Sequence, residues 1–185
     1  DPKAIFNTTL NLKDKFGKER IIESPISENG LTGISIGLAI NNIKVLLIHQ
    51  RVEFALLSLE QIFNNAAKTH FVTNGTHNVP IVIRMVIGRG WGQGPAHSQS
   101  LETIFSYMPG LKVLMPGTAF DAKGMLISAL EDPNPVMVLE HRWFHYVTGN
   151  VPKKIFKTNI SKPSVLEKGK DLTIVSCSYG LYECI

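Results

Sequence analysis

Apolar positions along this chain alternate between two rhythms. Four short unbroken runs, IKVLLIH (43–49), VPIVIRMVI (79–87), LKVLMP (111–116) and PVMVLE (135–140), have the length and β-branched content of strands. Longer stretches between them repeat apolar residues three and four apart. Ser27 to Ile40 places Leu31, Ile34 and Leu38 at helical spacing, and Arg51 to Phe71 does the same with Phe54, Leu57, Ile62, Phe63 and Ala66. TTLNLKDKFGKE (8–19), SLETIFSYM (100–108) and AFDAKGMLISALE (119–131) complete the helical set, with a short extended RIIES after the first. Strands that are apolar throughout, rather than at every second residue, are buried on both faces. Separated by helices, they predict an α/β fold: a three-layer, mostly parallel sheet with helices on both faces. Gly30, Gly33 and Gly37 each weaken the 27–40 helix by roughly 1 kcal/mol relative to Ala. That helix therefore depends on tertiary packing, and its small residues allow a second backbone to come close.

After about residue 150 the texture changes. NVPKKIFKTNISKPSVLEKGK is polar, Lys-rich and carries two prolines, as a linker does. DLTIVSCS (171–178) then has the pattern of a fresh buried strand, and YGLYECI that of a starting helix. One strand and half a helix cannot bury a core. The organisation expected is a domain over 1–150, a linker over 151–170, and the start of a truncated second domain over 171–185.

Composition narrows the classes. With 185 residues, 44% hydrophobic and 18% charged, the chain can bury a real core. Its formal charge of +4 is mild and its Lys and Arg are scattered. There are no interleaved aromatics of a single-strand binder and no zinc-finger spacing, so nucleic acid is not an expected partner. No apolar run reaches the roughly 18 residues of a membrane span. Two cysteines, Cys177 and Cys184, with no signal-peptide pattern, point to reduced thiols and a cytoplasmic setting; in a secreted chain they could pair. The chain begins at Asp1, as a processed or trimmed product would.

Three constellations carry candidate chemistry. The first is Gly88-Arg-Gly90-Trp-Gly92-Gln-Gly94, ending three residues before His97. Its spacing is not that of a dinucleotide fingerprint, and the Gly-Lys-Ser/Thr of a phosphate loop is absent. A surface loop with left-handed glycines explains it equally well. Two features favour a functional loop. It leaves the C-terminal end of a central strand, where open α/β sheets hold their ligands. It also ends in a histidine followed by Ser98 and Ser100, either of which could cap the next helix, leaving an imidazole able to exchange a proton near neutral pH. The second is Glu28 at the start of the glycine-bearing helix, between Ile26 and Leu31. It serves the helix dipole there, or it is a partly desolvated carboxyl that shares a proton with a ligand nitrogen. The third is Gln50 and Phe54, four apart and expected on one helix face. Phe54 is core packing or a platform for an aromatic ring.

RIIESPISENGLTGISIGLAI, VEFALLSLEQIFNNAAK, VPIVIR and GWGQGPAHSQSLETIFSYMPGLKVLMPGTAFDAKGMLISALEDPNPVMVLE together resemble the pyrimidine-binding domain of the transketolase superfamily. Among its members, the beta subunits of 2-oxoacid (pyruvate, branched-chain and acetoin) dehydrogenases are the most similar. The resemblance covers residues 8–145 and implies thiamine diphosphate with magnesium. It places Glu28 against the ring nitrogen of the aminopyrimidine, Phe54 stacked on that ring and Gln50 lining the pocket. His97 would contact substrate or a lipoyl arm during acyl transfer, making Glu28 and His97 the catalytic pair. It also implies a structural potassium ion on backbone carbonyls of Ile81, Ala129, Leu130, Asp132 and Asn134; an ordinary helix end and turn explains that stretch as well.

The superfamily's Gly-Asp-Gly…Asn motif for magnesium and diphosphate is missing. The resemblance therefore implies an alpha-type partner subunit, a second copy of this chain, a two-alpha, two-beta heterotetramer, and in some complexes a dihydrolipoyl acyltransferase. EHRWFHYVTGN departs from the acidic and amide residues usual after the last strand, and His141, Arg142 and His145 add positive character near the substrate end. The leading expectation is a beta-type subunit of a thiamine-diphosphate-dependent 2-oxoacid dehydrogenase. The alternatives are a split transketolase-like enzyme moving a two-carbon ketol unit between sugar phosphates, for which HRWFH is suited, and a non-catalytic structural subunit.

Overall fold

The computed structural model describes residues 5–185; the first four residues of the expected 1–150 domain lie outside the described residues. Four strands, β1 (Val45–His49), β2 (Ile81–Ile87), β3 (Lys112–Leu114) and β4 (Val136–His141), form one sheet in the order β1-β2-β4-β3. Every pairing is parallel, with Leu47 opposite Ile83, Ile83 opposite Met137 and Leu114 opposite Val138. The helices are α1 (Leu12–Phe16), α2 (Glu28–Ile40), α3 (Val52–Ala55), α4 (Thr69–Val72), α5 (Glu102–Ser106), α6 (Ala119–Glu131) and α7 (Ser178–Cys184).

Strand alternation divides the core into two layers. Ile81, Ile83, Met85 and Ile87 of β2, with Met137 and Leu139 of β4, pack under α2, α3 and α5 through Ile36, Ala39, Val52 and Phe105. Val82, Val136, Val138 and Leu114 face the other way, onto Ala129, Met125 and Leu126 of α6. The expected three-layer α/β architecture is observed, because runs apolar on both faces can be buried only between two helical layers.

Local differences have physical causes. The 52–72 stretch is largely helical but tightens to a 3-10 turn at Leu56–Ser58, widens to a π segment at Gln61–Ala66 and passes through a two-residue turn before α4. The first helix shortens to α1, whose residues are all at least partly exposed and cannot anchor a longer one. The close backbone approach expected at the α2 glycines occurs instead at Gly110. This residue has φ of +97°, and its missing side chain makes room for the Ala67 carbonyl.

The polar stretch after residue 150 is docked on α6 rather than free. Lys123 Nζ donates to the carbonyls of Pro152 (2.5 Å) and Lys154 (3.0 Å), and Ser128 Oγ donates to the Thr158 carbonyl at 2.7 Å. Phe156 stacks on Phe120 at 4.4 Å. Gly124 leaves room for both Phe156 and Thr158. The strand expected over 171–178 does not form: Leu172, Ile174 and Val175 are exposed, and no strand among the described residues pairs with them. An apolar run without a neighbour to complete its hydrogen bonds has no reason to become a strand. Gly124→Val will therefore release the 152–160 segment, seen as much faster tryptic cleavage at Lys153, Lys154 and Lys157 with the sheet core intact. Unchanged cleavage would contradict this docking.

Candidate functional site

Because all four strands run the same way, their carboxyl ends meet at one edge, and three candidate segments start there. β1 ends at His49, β2 delivers Gly88, and β4 delivers Arg142. Glu28 is the first residue of α2, half-buried, beside this edge. The same helix buries Thr32 one turn later. His49 Nε2 lies 3.2 Å from Thr32 Oγ1 and 3.5 Å from Ser58 Oγ. Burial holds the His49 imidazole below its ordinary range, against the opposing pull of the Glu28 carboxylate. Asn29 Nδ2 donates to the Leu57 carbonyl at 3.4 Å, tying the start of α2 to the turn after α3. The carboxylate is thus presented on a fixed helix start above a polar, buried floor.

The glycine loop accounts for the second candidate. Gly88, Gly90, Gly92 and Gly94 all have positive φ, and Trp91 joins them at +63°. A side chain on Gly88 would collide with the His141 ring, so its absence is steric as well as conformational. The Gly88 amide donates to the Gln99 carbonyl at 2.8 Å, and the Gln99 amide donates to Glu53 Oε1 at 2.6 Å. This closure turns the chain back so that His97 meets Phe54 edge-on, with ring centroids 5.5 Å apart and planes at 86°. Two residues 43 apart in sequence, each singled out on its own pattern, are thereby brought together. Neither Ser98 nor Ser100 caps a helix: α5 starts at Glu102 with Leu101 before it and no side-chain cap. His97 instead ends a 3-10 turn, Pro95–His97.

Gln50 does not share a helix face with Phe54. The helix begins at Val52, so Gln50 lies in the bend before it, where it borders a small cavity of about 30 Å³ with Thr8, Arg84 and His145. Ile81 opens β2, and Ala129, Leu130, Asp132 and Asn134 lead into β4, so these five do gather at the opposite, amino-terminal edge of the sheet. Their turn is already well satisfied. The Asp132 amide donates to the Ala129 carbonyl at 3.2 Å. Burial alone would raise the Asp132 carboxyl, but an ion pair with Lys112 at 2.5 Å and two bonds from Asn134 outweigh it and hold it low. Among the described residues no cluster of three His, Cys, Asp or Glu side chains could hold a metal.

The positive character expected of His141, Arg142 and His145 is not presented to solvent. Arg142 is 0% exposed. Its guanidinium donates to the Gly90 carbonyl (3.2 Å), Gln93 Oε1 (3.0 Å) and the His97 carbonyl (2.5 Å), and it lies over Trp91 at 5.1 Å. His145 approaches Glu140 at 3.4 Å, and Arg84 grips the same carboxylate through two bonds of 2.7 and 2.6 Å. His141 is enclosed by Trp143, Phe144 and Tyr179. Burial lowers the pKa of both histidines. Sequence patterns missed Glu53 altogether and missed the burial of Arg142. A helix-start glutamate and one of several basic residues give no outward sign that they will be buried around a loop.

This edge offers a carboxylate acceptor, an aromatic face and a histidine. That donor set suits a flat nitrogen heterocycle, with Glu28 accepting from a ring N–H and Phe54 supplying a stacking surface.

The family described as transketolase, pyrimidine binding domain, matches residues 3–143. The 2-oxoisovalerate dehydrogenase subunit beta of Bacillus subtilis is 36% identical over 96% of this chain and 54% of its own length. The pyruvate dehydrogenase E1 component subunit beta of Porphyra purpurea is 37% identical over 94% of this chain and 52% of its own. The acetoin:2,6-dichlorophenolindophenol oxidoreductase subunit beta of Cupriavidus necator is 34% identical over 96% and 52%. The chain spans about half the length of these curated relatives. A solved structure described as a split gene transketolase, inactive beta4 tetramer, superposes with a TM-score of 0.65 at 22% identity, covering 83% of this chain and 46% of that one. It has the same fold.

His49, His141 and His145 all have imidazoles depressed below 6.5 by burial. An imidazole kept neutral in the fold binds fewer protons than in the unfolded chain, so stability is full above that value and is lost as pH falls through the lower folded pKa. Urea unfolding between pH 8 and 5 should show a falling midpoint below about 6.5, and His49→Gln should flatten it. A midpoint that rises with acid would contradict the burial.

Proposed function

The chain belongs to the transketolase pyrimidine-binding family, and from this premise we propose that it is the beta-type subunit, or the pyrimidine half of one, of a thiamine-diphosphate-dependent 2-oxoacid dehydrogenase. The observation that carries the reading is the edge-on meeting of Phe54 and His97 at the carboxyl edge of the sheet, where Glu28 starts α2 close enough to His49, the last residue of β1, to act on its imidazole. The relatives' names support the reaction class.

Thiamine diphosphate, when bound, supplies an electron sink for the charge left on the carbonyl carbon as carbon dioxide departs. The chain's own residues prepare it. Glu28 Oε holds the proton shared with the pyrimidine ring nitrogen, and the half-buried setting strengthens that bond over one in water. Phe54 supports the ring's flat face, and Gln50 stands at the pocket margin. His97 donates to or accepts from the acyl group as it moves to its acceptor. The diphosphate and magnesium would be held by an alpha-type partner, a reading supported by relatives named as beta subunits. A second copy of the chain completes the assembly, and a dihydrolipoyl acyltransferase is its acyl acceptor. A structural potassium ion, if one binds, would take the carbonyls of Ile81, Ala129, Leu130, Asp132 and Asn134, in a turn whose Ala129 carbonyl already accepts from the Asp132 amide. The exposed Leu172, Ile174 and Val175 begin a second domain.

A sugar-phosphate substrate is less well served. The basic residues that would meet its phosphate are turned inward, Arg142 onto the loop and His145 onto Glu140. No helix among the described residues is long and apolar enough to cross a membrane.

Assembled with its alpha partner, the full-length polypeptide should decarboxylate a 2-oxoacid, and Glu28→Gln should lower kcat by about 10²-fold or more. Ketol transfer between phosphorylated sugars with no 2-oxoacid turnover would replace this reading with the transketolase one. Absence of both activities would favour a structural subunit.

A further inference from the structure

We propose that Arg142 is a positioning residue: its buried guanidinium fixes the 88–97 loop and so sets where His97 stands against Phe54. The inference rests on the function proposed above for His97, but it concerns a residue to which neither the relatives nor the family motif gives a role.

The geometry is specific. Arg142 is the first residue after β4, so its backbone is anchored by the most buried strand pair in the molecule. From there its two terminal nitrogens reach three acceptors spread along the loop: the Gly90 carbonyl near the start, Gln93 Oε1 in the middle and the His97 carbonyl at the end. The plane of the same guanidinium lies over Trp91, whose left-handed backbone presents the ring. A loop with positive φ at five positions loses much chain entropy on ordering, and a loop of such glycines does not hold one shape unaided. The planar fork supplies what it lacks, since one rigid group ties both ends of the loop to one strand.

Among the described residues, two further hydrogen bonds lead back to the body of the protein or close the loop's ends, beside the ring contacts of Arg89 with Trp143 and of Trp91 with Phe6 and Tyr146. One is the Gly88 amide to the Gln99 carbonyl, and the other is the Gln99 amide to Glu53. Both hold the loop's base, beyond His97. Arg142 alone bonds the His97 backbone itself from outside the loop among the described residues. Around it, Arg142 Nε, Glu53 Oε2 and Arg51 Nη1 are buried without a hydrogen-bond partner in the protein. Arg142 senses the charges of Arg51 and Glu53. The guanidinium is buried and its terminal nitrogens are taken up by the loop's own acceptors, so it is not presented to a substrate. Its action on the reaction runs through His97.

Lysine cannot reproduce this arrangement. It keeps the charge but is a single point donor, unable to span acceptors at both ends of the loop. Displacement of a catalytic group by about 1 Å costs on the order of 10²-fold in rate. The test uses the full-length polypeptide assembled with its alpha partner, in four forms: parent, Arg142→Lys, His97→Ala and the double variant. Carbethoxylation of His97 is read by peptide mass spectrometry, with exposed His70 and His77 as internal references.

Arg142→Lys should leave thiamine diphosphate affinity within about twofold and lower kcat by roughly 10- to 100-fold. It should raise the rate of His97 modification several-fold while leaving His70 and His77 unchanged. The double variant should be no slower than His97→Ala alone, because a residue that acts through another adds nothing once that other is gone. Multiplying losses in the double variant, or an unchanged His97 modification rate, would overturn the proposal. A collapse of thermal stability in Arg142→Lys would also overturn it, by making Arg142 a general support of the fold. A kinetically silent His97→Ala would count against the function proposed for His97, while the modification rates would still decide whether Arg142 positions it.

Discussion

The pairing of β2 with β4 is the constraint on which the site depends. Both strands are buried on both faces, one in contact with α2, α3 and α5 and the other with α6, so neither can shift register without exposing an apolar layer. Their parallel direction places Gly88 and Arg142 side by side at one edge, since Ile87 pairs with His141. The glycine loop and the arginine that holds it therefore start from adjacent, fixed points. β1, paired on the other side of β2, brings His49 and the start of α3 to the same edge. The chemistry-bearing residues are loop and helix-start residues, but their positions are set by the sheet.

Around that edge, polar groups are buried in balanced sets. His49 lies against Thr32 and Ser58, Glu140 is shared by Arg84 and His145, and Arg142 is bonded to the Gly90 and His97 carbonyls and to Gln93. Buried charge is costly unless paired, and truncating one partner typically costs about 3–5 kcal/mol. Glu28, Phe54 and His97, by contrast, are only partly buried. Ile34 on α2, 64% exposed, and Ile26 just before the helix, 93% exposed, flank Glu28 in sequence and fit the reading that a second polypeptide completes the pocket.

What the sequence disclosed follows from which forces are local. The strands and α6 were legible to within about two residues, because unbroken β-branched runs and the Thr118 cap act over a few neighbours. Glu28 at a helix start was legible for the same reason. The contact between Phe54 and His97 was not, because it depends on a loop closed by Glu53 and Arg142 from distant segments. Gln50 was expected on the helix face of Phe54, but the helix starts at Val52, and a start misplaced by one or two residues undoes a face argument built on it. Arg142 reads as solvent-facing in any one-dimensional pattern. Only the three-dimensional list of acceptors around it reveals a buried clamp. The 171–178 run has the composition of a strand, and it stays irregular because strands are made by partners.

The central claim is that this chain holds one half of a divided cofactor site. Calorimetric titration of thiamine diphosphate with magnesium into the chain, first alone and then mixed with its alpha-type partner, tests it most directly. Binding that appears only in the mixture, and weakens when Glu28 is replaced by Ala, is the result predicted. Equally tight binding to the chain alone would contradict the division, and no binding in either case would contradict the cofactor site itself.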